Sequence, residues 1–284
     1  MNLFSVVLAL VVLIVALVIL GASALQQFLM YHPAHERVAP ADAGLAGVEE
    51  RMIETPDGNS LVAWWAKAAP GKPTVLYFHG NAGGLIDRSG RIRRMQGEGI
   101  GVYMMAYRGY SGSTGRPTER DNVADGRRAF DALVAAGVEP ENIFIFGESL
   151  GTGVAVQVAT KRAAAGLVLD APYTSMLDLA HLHYPYLPSN LFLRDRYETQ
   201  RHIANVTVPL LIVHGRNDAV IPFDMGQAIY DRAPSQQKEI VDVPGAGHLD
   251  HDRLGSFDAI IKWMVARTAA PTSTGSGPSR VSGE

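Results

Sequence analysis

The 284-residue chain contains no cysteine. That absence excludes a disulfide framework, a thiol nucleophile, thiolate-bound zinc and cysteine-ligated iron–sulfur clusters. It leaves the redox compartment open, because a protein without thiols tolerates either environment. Excess positive charge is also missing: 25 Lys and Arg stand against 28 Asp and Glu, a net charge of −3. No stretch has the clustered Lys and Arg that phosphate contacts require, so nucleic acid is excluded as a partner. The Gly-rich loop His79-Gly80-Asn81-Ala82-Gly83-Gly84 is neither a Walker A loop nor a G-x-G-x-x-G fingerprint, which argues against nucleotide binding. No internal repeat is visible.

What is present is apolar residue, 47% of the chain, and part of the excess is concentrated at the N-terminus. Residues 3–20 are apolar except for Ser5. As a helix they would span about 27 Å, close to the hydrocarbon thickness of a bilayer. The reading is a single-pass N-terminal transmembrane anchor over residues 1–25, and therefore a membrane localisation. Ala22-Ser23-Ala24 resembles a cleavage site, but no Lys or Arg precedes the run, so the anchor is read as uncleaved. The first basic residue is Arg37, which leaves the orientation open. At the other end, residues 269–284 are small, polar and rich in Gly, Pro and Ser, and are expected to form a disordered tail. Residues 38–268 remain as one domain.

Within that domain, short continuous apolar runs end in turn residues: 74–80, 101–107, 142–147, 166–172, 209–215 and 238–245. Continuous rather than alternating runs suit strands buried on both faces of a parallel sheet. Helical patterns fall between or after them, at 85–97, 120–137, 150–164, 224–233 and 253–267. The fold class is α/β with a mostly parallel sheet. Segments 48–56 and 60–68 alternate and flank Asp57-Gly58, the pattern of an antiparallel edge hairpin.

Ligands of such sheets bind beyond the carboxyl ends of the strands. After the third parallel run stands Gly147-Glu148-Ser149-Leu150-Gly151, between a strand and a helix. A serine on that tight turn is lifted out of the sheet, and the next amide opens a helix. Its hydroxyl needs a base. His248, in Pro244-Gly245-Ala246-Gly247-His248 after the last run, has the position for it; His251 is the competitor. An imidazole in that role needs a carboxylate. Asp218, in the loop after 209–215, is the first choice and Asp170 the alternative. Oxyanion donors are assigned to the amide of Leu150 and to that of Asn81 or Ala82, between which sequence does not choose. His79 is expected to organise its turn without titrating. Arg108 is read as tying loops together, and Glu148 receives no role. The chemistry needs no metal and no organic cofactor.

Taken together, GESLG, the HGNAGG loop, Tyr107-Arg108-Gly109-Tyr110, the RNDAVIP acid loop, PGAGH and the order Ser149, Asp218, His248 resemble a serine hydrolase of the α/β-hydrolase superfamily. The resemblance extends to its membrane-anchored α/β-hydrolase-domain-containing proteins. It implies the α/β-hydrolase fold, a mostly parallel sheet of about eight strands flanked by helices, with a small inserted cap. It also implies hydrolysis of esters or thioesters, including removal of fatty acyl groups from membrane-bound proteins in one branch, with Ser149, Asp218 and His248 as the triad. Lack of cysteine departs from the branch that carries palmitoylated cysteines near its N-terminus and weakens transfer of that activity. The cap is placed at 173–205, with Leu187, Leu191 and Phe192 lining a pocket for a small-molecule or lipid-like acyl substrate, and Arg194, Asp195 and Arg196 forming a polar rim or a local salt-bridge cluster. A peptidase, an acyltransferase and a catalytically silent binding protein are the alternatives. Oligomeric state is not legible.

Overall fold

The computed structural model describes residues 3–248 and 250–268; of the side chains at 3, 9, 11, 14–20 and 23 nothing is described. The expected tail at 269–284 lies outside the described residues. Helix α1 (Leu3–Met30) leads into a two-residue strand, β1 (His32–Pro33). Strands β2 (Val48–Glu54) and β3 (Ser60–Ala66) form the antiparallel hairpin, turning through Gly58 at φ 80°. Then come β4 (Thr74–Phe78), β5 (Ala82–Gly83), α2 (Ser89–Gly97), β6 (Gly101–Met105), α3 (Glu119–Ala135), β7 (Ile143–Glu148), α4 (Leu150–Ala159) and β8 (Gly166–Asp170). Three short helices follow, α5 (Met176–His183), α6 (Ser189–Phe192) and α7 (Thr199–Ile203). The chain closes with β9 (Leu210–Gly215), α8 (Phe223–Arg232), β10 (Lys238–Val243) and α9 (Ser256–Arg267).

Eight strands form one sheet in the order β10-β9-β8-β7-β4-β6-β3-β2. All neighbours are parallel except the two pairs made by β3. Every residue of β4, β6, β7, β8 and β9 is buried, which is why these strands read as unbroken apolar runs. Chain order reverses around β4: β6 lies on one side and β7 on the other. Such a switch point opens a crevice beyond the strand ends, because the connections leave in opposite directions. The Gly-rich loop follows β4 and Ser149 follows β7, so both reach that crevice.

The N-terminal expectation is corrected. Among the described residues no helix is long and apolar enough to cross a membrane. The transmembrane anchor over 1–25, the membrane as a partner and the membrane localisation fall with it. A helix that is hydrophobic all round suggests one uniform apolar environment, but the last turn of α1 is two-sided. Gln26 and Met30 are buried, whereas Leu25 and Phe28 are exposed. Gln26 donates to Asp195 Oδ2 at 2.9 Å, and its Oε1 accepts the N–H groups of Arg194 and Asp195 at 2.7 and 3.1 Å. The end of the apolar run is therefore part of the globular body, which begins before residue 38.

Candidate active site

Ser149 joins β7 to α4 at φ 51° and ψ −116°. A non-glycine residue with that backbone is strained by about 1–3 kcal/mol. Local hydrogen bonds hold it. Ser149 N–H donates to the Asp170 carbonyl at 2.8 Å, and the Ser149 carbonyl accepts Thr152 N–H and Thr152 Oγ1 at 2.9 and 2.7 Å. The flanking glycines are sterically required. A Cβ on Gly147 would stand 2.5 Å from the Gly151 carbonyl oxygen, and one on Gly151 would stand 2.1 Å from that of Phe78.

The loop after β10 brings His248 to this turn. Its Nε2 lies 3.0 Å from Ser149 Oγ and its Nδ1 2.7 Å from Asp218 Oδ2. Asp218 Oδ1 accepts the N–H groups of Val220 and Ile221, both at 2.8 Å. Burial opposes its charge, but His214, His248 and the Ile221 amide overcome that and hold its carboxyl well below the usual carboxylate range. His214 escaped sequence reasoning. It is buried, lies 3.4 Å from Asp218 Oδ2 and 2.8 Å from the Ile221 carbonyl, and its only sequence signal is its place at the end of β9.

Leu150 N–H opens α4, and the first amides of a helix have no intrahelical acceptor. Asn81 and Leu150 line the same cavity as Ser149 and His248. Ala82 does not; it is exposed, belongs to β5 and borders a different depression. The loop that carries Asn81 is pinned from three sides. Its carbonyl accepts His32 N–H at 2.9 Å and Tyr110 Oη at 2.7 Å, and His79 packs between the rings of Tyr107 and Tyr110. Burial and then the nearby Arg88 charge push the His79 imidazole down to about 3, so it is neutral at physiological pH. Its Nδ1–H donates to the Gly80 carbonyl at 2.7 Å. Arg108 ties loops together, contacting Asp57 and Asp125 at 2.6 and 2.8 Å.

His251 and Asp170, the alternatives to His248 and Asp218, are neighbours of one another. His251 Nε2 stands 2.9 Å from Asp170 Oδ1, and its Nδ1 2.8 Å from Ser256 Oγ. Arg91 joins this pair, 2.7 Å from Asp170 and 2.8 Å from Asp252. Glu148, left without a role by the sequence, accepts Arg88 at 2.7 Å and Tyr77 Oη at 2.5 Å. Burial raises the carboxyl pKa values of Glu148 and Asp170, but the arginines lower them further, to below the ordinary range.

Above Ser149 lies a cavity of about 410 Å³. The connection between β8 and β9 roofs it. Ser175 caps α5 by accepting Asp178 N–H at 3.0 Å, and Pro188 separates α5 from α6. Leu187 and Phe192 line the cavity. Leu191 does not: it is 85% exposed, because α6 is one turn long and shows only one face inward. Asp195 is not a rim residue either; it is buried against Gln26 and Tyr31. Gln26, Leu29, Met30 and His32 complete the wall and were missed, since the N-terminal run was assigned elsewhere. Among the described residues no group of three or more His, Asp or Glu is arranged to hold a metal ion.

A switch-point serine on a strained turn, a cap over it and this sheet order define an α/β hydrolase. Residues 69–187 and 190–251 match the family model Hydrolase_4, described as serine aminopeptidase, S33, and the chain belongs to this family. It is 36% identical over 265 residues to an uncharacterized protein of Mycobacterium tuberculosis, covering 91% of this chain and 94% of the relative. It is 32% identical over 223 residues to alpha/beta hydrolase domain-containing protein 17B of Homo sapiens, covering 78% and 76%. Among solved structures it resembles an esterase of Pyrococcus furiosus, with TM-score 0.67 and 18% identity over 84% of this chain and 99% of that one. A monoacylglycerol lipase of Paleococcus ferrophilus follows, with TM-score 0.59 and 18% identity over 73% and 99%. At such identity the structural likeness shows the fold alone.

Proposed function

We propose that the protein is a serine hydrolase of carboxylic esters or thioesters with an apolar acyl group, acting through Ser149, His248 and Asp218. The observation that carries this is the hydrogen-bonded series Asp218, His248, Ser149, at 2.7 and 3.0 Å, opening into the cavity. His248 Nε2 takes the Ser149 proton as Oγ attacks the acyl carbon. Asp218 orients the imidazole and stabilises the imidazolium. The tetrahedral oxyanion lies between the N–H groups of Leu150 and Asn81. His248 then protonates the departing alkoxide or thiolate, leaving an acyl-Ser149. Water, deprotonated by His248, attacks the acyl carbon, and the carboxylic acid leaves with Ser149 restored.

The family description favours a second reading, an aminopeptidase. A free α-ammonium group in the cavity would need a carboxylate partner, since burying an unpaired charge is prohibitive. Among the described lining residues there is no Asp or Glu, and no Lys or Arg. Leu29, Met176, Leu179, Leu187, Phe192 and Ile221 give the wall an apolar character that suits a hydrocarbon chain. The test is fluorophosphonate labelling of the full chain, wild type beside Ser149→Ala, followed by parallel panels of acyl esters, thioesters and aminoacyl amides. The ester reading expects labelling lost in the variant and turnover confined to esters or thioesters. Preference for aminoacyl amides would establish the peptidase instead. A folded wild type that neither labels nor turns over any substrate would point to a silent binding protein.

A further inference from the structure

Gln26, Leu29 and Met30 are spaced i, i+3 and i+4, which places them on one face of α1. All three line the cavity that contains Ser149. The opposite face of the same turn points away, with Phe28 74% exposed. The domain's own cap therefore closes only part of the cavity, and a segment more than a hundred residues earlier in sequence closes the rest.

This wall is locked in place. Besides the three hydrogen bonds of Gln26 to residues 194–195, Tyr31 Oη donates to Asp195 Oδ2 at 2.8 Å. Tyr31 Oη also lies 3.1 Å from Tyr197 Oη, which accepts Asn122 Nδ2 at 2.9 Å. Buried hydrogen-bonded networks of this kind hold a geometry firmly, because breaking one leaves a desolvated polar group. Past the lock, β1 pairs in parallel with β5, and His32 N–H holds the Asn81 carbonyl. One stretch, 26–34, thus touches both the acyl cavity and the loop that carries the oxyanion donor.

We infer that the last turn of α1 is the chain-length gauge of the enzyme: Met30 and Leu29 limit how far an acyl chain extends from Ser149, and Gln26 fixes their position. The inference rests on the ester-hydrolase reading above. In a hydrophobic pocket one methylene group changes specificity about 10- to 200-fold. Shortening a wall residue lengthens the acyl chain accepted, and enlarging one shortens it.

The experiment uses the full chain and p-nitrophenyl esters from acetate to laurate, with kcat/KM measured for each. Met30→Ala is expected to shift the laurate-to-acetate ratio upward by at least about tenfold, and Leu29→Trp to shift it downward by a similar factor. Gln26→Ala should broaden the profile, because the wall loses its pin. Phe28→Ala, one residue away on the outward face, leaves the profile unchanged. Thermal melts confirm that each variant is folded, and Leu29→Trp and Met30→Ala fail independently of one another. Ratios within twofold of wild type for both wall variants, in folded protein, would overturn the inference. A wild type that labels with fluorophosphonate yet hydrolyses no ester in the series would overturn the ester reading itself and this inference with it.

Discussion

Two histidine–carboxylate pairs stand side by side at the carboxyl end of the sheet. His248 and His251 come from the same loop, and Asp218 and Asp170 from the ends of adjacent strands. The distances are nearly equal, 2.7 Å for His248–Asp218 and 2.9 Å for His251–Asp170. Their third partners differ. His248 reaches Ser149, held on a strained turn at the cavity. His251 reaches Ser256, the first residue of α9, and is fully buried. The carboxylates differ as well. Asp218 receives only neutral donors besides its histidines, whereas Asp170 sits against the Arg91 guanidinium. The first pair opens into the cavity beside Ser149, whereas His251 and Asp170 are buried away from it. Burial lowers the His251 pKa, but Asp170 and Asp252 raise it further, above its ordinary value. The same two residue types thus stand in two settings, one at the cavity wall and one in a buried ionic brace.

Neutralising each carboxylate in turn separates the two pairs by the largest expected effect. Asp218→Asn is expected to lower kcat by about 10⁴-fold, because the imidazole loses its tautomer and its counter-charge. Asp170→Asn should leave kcat within tenfold while the melting temperature falls. Steady-state ester kinetics and calorimetry on both variants decide it, and equal kinetic losses would erase the distinction. Next comes Arg91→Met. It removes the arginine from Asp170 and Asp252 and leaves Glu148 with Arg88 alone, and breaking a buried ion pair costs about 3–5 kcal/mol. In a chain of this size that lowers the melting temperature by roughly 10 °C.

A third test uses pH. Glu148 and Asp170 are held below their ordinary values of 4.5 and 3.8. The unfolded chain therefore takes up their protons first as the solution is acidified. Stability from these groups is complete above about pH 4.5 and is lost as pH falls further. His251, whose pKa is raised by Asp170 and Asp252 against burial, acts in the opposite sense nearer pH 7, so the test is the limb below about pH 4.5. Thermal melts should drop from there to pH 3; no drop would show that the buried carboxylates do not stabilise the fold. The smallest effect is expected of Ser256→Ala, which removes the partner of His251 Nδ1 and should cost about 1 kcal/mol with fluorophosphonate labelling unchanged.

Much of this was legible beforehand, for identifiable reasons. The five central strands are buried on both faces, so their apolar runs stand out without any tertiary information. Gly147 and Gly151 announce the turn because no other residue fits there. Cap residues were harder. Leu191 and Phe192 are adjacent and equally apolar, yet one faces solvent and the other the cavity. A helix of one turn has too little periodicity to tell them apart. Glu148 was passed over because its partners come from distant elements; His214 was passed over although Asp218 and Ile221 lie in the next loop, because the sequence does not show which way its ring turns. The N-terminal run was misassigned because apolar composition has no direction, and the hint that the end of the run turns toward polar groups lay in Gln26 and Gln27.

Local stereochemistry and hydrophobic patterning are written along the chain, so the sequence by itself determined the α/β class, the strand order of motifs and the identity of the serine turn. The sequence ranked His248 over His251 and Asp218 over Asp170 by position alone. Which histidine meets the serine, which amide faces the cavity and which residues wall it are decided where β1, α1, the cap and the ionic brace converge. Those choices depend on contacts between segments far apart in sequence, whose energies exist only once the chain has folded.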